Sequence, residues 1–115
     1  FERFLNLCKE RKVLSDNIID FSTELSNFNN DKFIIFLIIV KFILSNILKI
    51  NLGINIENNI NRKIANRLYD VSKYFNISSC FKVFDYLKNN ENELFTFNLD
   101  KKIFTMNIFS KLIRV

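Results

Sequence analysis

Hairpins, sandwiches and phosphate-cradling loops need backbone punctuation, and this chain has almost none. Its 115 residues include no proline and a single glycine, Gly53. An all-helical fold is favoured before any periodicity is counted. The length suits one domain, enough to take roughly two thirds of the unfolded surface out of water. We therefore expect a single domain over residues 1–115, a compact all-α bundle of five to six helices around a central apolar helix at about residues 31–52.

That central helix contains the stretch FIIFLIIVKFIL, Phe33 to Leu44, eleven apolar residues interrupted by Lys41. A membrane and a soluble core compete for it. Twelve helical residues reach about 18 Å against about 30 Å of hydrocarbon, too short to span. Extension to Leu52 supplies the length but adds Ser45, Asn46, Lys49 and Asn51 to the lysine already present. On an insertion scale apolar residues gain about 0.3–0.6 kcal/mol each and a central lysine costs about 2.5–3.5, so the sum lies near zero. Geometry then decides. Lys41, Ser45 and Lys49 recur every fourth residue and form one narrow polar stripe on an apolar rod. This is the pattern of a bundle's core helix, wrapped by amphipathic neighbours with one edge in water.

The neighbours are legible in the spacing of apolar residues. A first helix over about Phe1 to Arg11 places Phe1, Phe4, Leu5 and Cys8 on one face; if it is short, the bundle has five helices rather than six. A second opens at Ser15 as N-cap, with Asp16 in its first turn, and runs to about Phe28 before Asn29 and Asn30 break it. Gly53 is placed as the left-handed cap that ends the third. The fourth, about Glu57 to Phe75, carries the cleanest stripe: Ile60, Ile64, Leu68, Val71 and Phe75. A fifth starts after Ser78 and Ser79, turns Cys80, Phe81, Val83, Phe84 and Leu87 inward, and continues to Phe97. The sixth runs from Asn98, as N-cap, to the chain end, with Leu99, Ile103, Met106, Phe109 and Ile113 apolar and Lys111 and Arg114 in the last turn.

A formal charge of +5 permits contact with nucleic acid or anionic lipid without requiring it. The basic residues are spread out, and the densest groups, Lys9, Arg11 and Lys12, then Arg62, Lys63 and Arg67, suit solvated helix faces. Asparagine, lysine, isoleucine and phenylalanine crowd the chain in the manner of AT-rich codons, which says little about function. Cys8 and Cys80 sit inside apolar patterns and no histidine exists to complete a metal or Cys-His site, so reduced, buried thiols in a cytoplasmic protein are expected. The amino terminus has a charge at nearly every turn, unlike a signal peptide, and the start without Met suggests a piece of something longer.

Catalytic parts are missing from the sequence, so no catalytic, cofactor or metal residue is nominated, and the chain is expected not to be an enzyme. Glu91 and Glu93 have the plain explanation of solvated helix ends, as does Asp100 beside Lys101 and Lys102. The 14 phenylalanines fall mostly on apolar stripes and suit core packing better than base stacking. Tyr69, Tyr74 and Tyr86 border the stripes, where an interface could use their polar tips.

The segments ANRLYDVSKYF and FKVFDYLKNNENELFTFNLDKKIFTMNIFSKL resemble the C-terminal domain of the δ′ subunit of bacterial DNA polymerase III clamp loaders. The sharpest element is Asn98, Leu99, Asp100, Lys101 and Lys102, and a weaker likeness covers IIDFSTELSNFNNDKFIIFLIIV. The apolarity of Phe33 to Val40 and the absence of Trp depart from the family's pattern. The resemblance implies a helical collar domain that packs beside other clamp-loader subunits in a ring, without a cofactor or membrane, touching DNA only through the complex. ATPase-related modules would lie upstream. A ring contact is head to tail, so each collar needs two different faces. The candidates are the polar side of the fourth helix, Arg62, Asn66, Arg67 and Lys73, and the last helix around Met106, Phe109 and Lys111. A small basic helical nucleic-acid-binding module and a membrane-associated helical protein are the alternatives.

Overall fold

Where five of the six helices begin, a side-chain oxygen takes one of the orphan backbone N–H groups; the first, which starts after Phe1, has no such cap. In the computed structural model, which describes residues 1–10, 15–57 and 60–113, six helices follow one another: α1 Glu2–Cys8, α2 Asp16–Ser26, α3 Asn30–Asn51, α4 Arg62–Ser72, α5 Ile77–Thr96 and α6 Lys101–Leu112. No strand occurs among the described residues. Ser15 Oγ accepts from the Ile18 N–H at 3.3 Å. The Asn29 side chain accepts from Lys32 at 2.9 Å, that of Asn61 from Lys63 at 2.9 Å and that of Asn76 from Ser79 at 2.8 Å. Asp100 caps α6 twice, accepting from Lys102 at 2.8 Å and Ile103 at 3.1 Å.

Helix ends are equally explicit. Gly53 adopts φ 80°, its N–H bonds Ile50 O at 3.0 Å and the Ile54 N–H bonds Lys49 O at 2.8 Å, the Schellman pattern. A second left-handed residue, Asn98 at φ 51°, closes α5, and the Leu99 N–H reaches back to Leu94 O at 2.9 Å. Asp100 opens the next helix one residue later. The expected N-cap at Asn98 is thus corrected: Asn98 ends α5, and Asp100 starts α6. Two other starts also move, because α4 begins at its Asn61 cap rather than at Glu57, and α5 begins after Asn76, ahead of Ser78 and Ser79. Arg11, placed at the end of the first helix and in a basic group with Lys12, lies outside the described residues, as does Arg114.

The core is organised by one side of α3. Phe33, Phe36, Leu37, Val40, Ile43, Leu44 and Ile47 are all buried, and each amphipathic neighbour contributes to the same cluster. The α5 helix lies antiparallel to α3, since Phe95 meets Phe33 and Glu91 bonds Lys41 at 2.7 Å. The α6 helix doubles back along α5, with Phe104 against Tyr86 at 5.0 Å between ring centroids and the Asn107 amide donating to the Tyr86 hydroxyl at 3.1 Å. The α6 helix also packs against α2, with Phe109 against Phe21, and α4 rests on α3.

Short as it is, α1 is a full member of the bundle. Phe4 contacts Phe36 of α3 and Phe109 of α6, while Leu5 is wholly enclosed. At its rim Arg3 pairs with Glu24 of α2, and Glu2 accepts from Arg67 of α4 at 2.6 Å. Six helices therefore pack as one unit, with a Cα radius of gyration of 13.9 Å against about 13.4 Å for a compact chain of this length.

The two helix joints are open to direct test by urea unfolding. Adding a Cβ at Gly53 meets no atom, so Gly53→Ala is expected to cost about 1–2 kcal/mol through backbone conformation alone. Asn98→Ala should cost a similar amount and Asn98→Gly nothing, whereas Asp100→Ala should lose about 1 kcal/mol of capping.

Candidate interaction surface

Past Asp31 and Lys32, the outward side of α3 is apolar along its first half. Ile35 is 56% exposed and Ile38 57%, flanked by Ile34 at 38% and Phe42 at 39%. The neighbouring helices thus wrap one face of the rod and leave the other bare, which corrects the expectation of an apolar helix sheathed except for one polar edge. Lys41, Ser45 and Lys49 lie on that same outward arc, as their fourfold spacing requires, but they occupy only its second half. Lys41 is engaged by Glu91. Beside the second half, the segment after α3 forms a cleft of about 510 Å³ whose walls include Phe42, Ser45 and Lys49 on the helix and Ile54 and Ile56 opposite.

Contiguous apolar surface of this kind marks a contact site more often than scattered apolar residues do. Composition supports the same distinction, since Phe and Ile on a flat helix face with charge at the rim resembles the core and rim of an interface. Of the 14 phenylalanines, ten are buried or half-buried and four, Phe1, Phe42, Phe81 and Phe97, are exposed. The stacking supply for single-stranded nucleic acid is therefore mostly spent on packing.

The residues nominated from sequence fare unequally. Arg62, Asn66 and Lys73 are exposed on α4, so that face is open. Arg67 is tied inward, donating to Glu2 and, at 2.5 Å, to the Asn6 side chain. On α6, Met106 and Lys111 are half-buried, and the Lys111 ammonium sits over the Tyr86 ring at 4.5 Å. Phe109 is a correction: it is 0% exposed and packs against Phe4 and Phe21, so it offers no surface. The inward face of α6 is Phe104, Thr105, Ile108, Phe109 and Leu112, which leaves Ile103 and Leu99 outside. Phe81, expected inward, is likewise exposed, one position off the line of Cys80, Val83 and Leu87.

A second concavity, about 230 Å³, is lined by Cys8, Lys73, Tyr74, Phe75, Ser79 and Ile113 among others. Its chemistry is quiet. Burial, reinforced by Cys80 nearby, holds the Cys8 thiol well above its ordinary range, and burial pushes Cys80 up to about 11. Both thiols are protonated at neutral pH and unpaired, hence poor nucleophiles. Lys9 and Lys73 flank the Tyr74 ring at 5.7 and 5.4 Å. Among the described residues no cluster of three or more carboxylate, thiol or imidazole groups could hold a metal. No protein family, no curated protein and no solved structure matches the chain.

The thiols give a pH prediction with a definite sign. A group whose folded pKa is raised stabilises the fold below its unfolded value and loses that contribution as pH climbs through the folded value. Stability should therefore fall as pH rises from 9.0 towards about 11, and less so in Cys80→Ala. At pH near 8, a thiolate-specific alkylating reagent should modify neither cysteine in the native protein and both in denaturant.

Proposed function

We propose that the chain is a helical assembly module, an oligomerisation domain of the clamp-loader δ′ collar kind, which holds neighbouring subunits and carries out no chemistry of its own. The observation that carries the reading is the bare apolar face along the first half of α3. A chain that buries seven apolar residues of one helix, yet leaves Ile34, Ile35, Ile38 and Phe42 in water on the same helix, has surface to offer a partner.

The residues of the family resemblance support it in a more limited way. Asn98, Leu99 and Asp100 are the joint between α5 and α6: a left-handed stop, a back-bonded residue and an N-cap in succession. In this chain the element therefore sets how two helices fold back on each other. Arg62, Asn66 and Lys73, open on α4, supply a polar second face of the sort a head-to-tail ring needs.

Co-expression of the chain with the other clamp-loader subunits of its own genome tests the reading. The expected result is a stable heteromer on size exclusion, weakened at least about tenfold by Arg62→Glu combined with Lys73→Glu, a change of about 1.4 kcal/mol. Failure to form any heteromer would overturn the assignment. So would direct DNA binding by the chain with an affinity that falls about 1,000-fold between 50 and 200 mM salt, the signature of a phosphate-binding module.

A further inference from the structure

The outward arc of α3 has an internal symmetry that its apolarity alone does not require. Asp31, Ile35, Ile38, Phe42, Ser45 and Lys49 follow one another at steps of four, three, four, three and four, the spacing of a coiled-coil seam. All are exposed except Ser45, which is half-buried. These positions are symmetric about residue 40: 31 with 49, 35 with 45 and 38 with 42. If a second α3 is laid antiparallel across a two-fold axis at that point, Ile38 meets Phe42, Ile35 meets Ser45 and, at both ends, Asp31 meets Lys49.

We propose that this face pairs with a second copy of the chain, α3 against α3 in antiparallel register about residue 40. The inference stands apart from the assembly reading above: it needs no clamp-loader partner, and a partner seated on this face would displace the second copy. An isologous contact requires a self-complementary patch, and this one is self-complementary in charge, Asp31 of each copy facing Lys49 of the other. A parallel pairing in register would set Asp31 against Asp31 and Lys49 against Lys49, placing like charges together. Opposite Ile35 the seam carries the small Ser45, so one copy's Ile35 enters the polar half where the other copy's cleft opens between Ser45, Lys49 and Ile54. Lys41 lies near the axis, and its charge opposes closure. Its counter-ion is already present, because Glu91 of the same chain binds its ammonium at 2.7 Å. Burying Ile34 on one copy against Leu48 on the other extends the apolar strip along that flank.

Sedimentation velocity of the full chain between about 5 and 500 µM reads the association, which a single helix pair places at the small end of interface sizes. The expected result is a concentration-dependent dimer, lost in Ile38→Asp while the circular dichroism of the folded chain is unchanged. Charge swaps fix the register. Asp31→Lys alone and Lys49→Asp alone should each weaken self-association, yet the two variants mixed should pair with each other at least about tenfold more tightly than either pairs with itself. A wild-type chain that stays monomeric over the whole range would overturn the proposal. A dimer indifferent to Ile38→Asp, a mixture no tighter than its parts, or a face that instead binds lipid vesicles and loses them in Ile38→Asp would overturn it too.

Discussion

Removal of one side of α3 from water is the interaction on which the rest of the structure depends. Its seven inward apolar residues gain about 1.5–3 kcal/mol each on burial, a sum as large as the whole net stability of a small domain, about 5–15 kcal/mol. Every other helix adds residues to the cluster that this side of α3 anchors. The α2 and α6 stripes meet each other and reach α3 through Phe21, Phe36, Phe104 and Phe33, α5 closes on it through Phe95, and α4 packs against it. The short α1 then plugs the remaining gap with Phe4 and Leu5, and its ion pairs to α2 and α4 are rim features that add little at their exposure.

How much of this was legible follows from which helices are amphipathic. The α4 stripe, Leu68, Val71 and Phe75, and the Gly53 cap were read correctly because a polar face opposes the apolar one and because only one residue in the chain can adopt φ above zero without strain. In α6 the pattern failed. Apolar residues lie all round that helix, so Ile103 and Phe109 could not be told apart by spacing, and the packing against α2 and α5 chose Phe109. The same degeneracy hid the bare face of α3. A helix apolar on every side states that it is buried somewhere, and only tertiary contacts state where.

Asparagine was the signal passed over. Treated as a mark of codon bias, it turns out to supply the punctuation that proline and glycine do not. Asn29, Asn61 and Asn76 begin three helices, and Asn98 ends a fourth in the left-handed conformation that asparagine tolerates best after glycine. An Asn followed by an apolar period could have located α4 and α5 within a residue. It also explains why the Asn98 to Lys102 element looks distinctive: the two helices fold back across four residues, 97–100, in which the stop at Asn98 and the cap at Asp100 are one residue apart.

Function and fold meet in the claim that the two sides of α3 have different jobs, one holding the chain together and the other available to a partner. Equilibrium unfolding at a concentration where the chain is monomeric separates them. The account predicts that Leu37→Ala on the inner side loses about 2–5 kcal/mol, while Ile38→Ser on the outer side changes stability by no more than about 0.5 kcal/mol. Equal losses at the two positions would contradict it, because they would show the outer side to be part of the core.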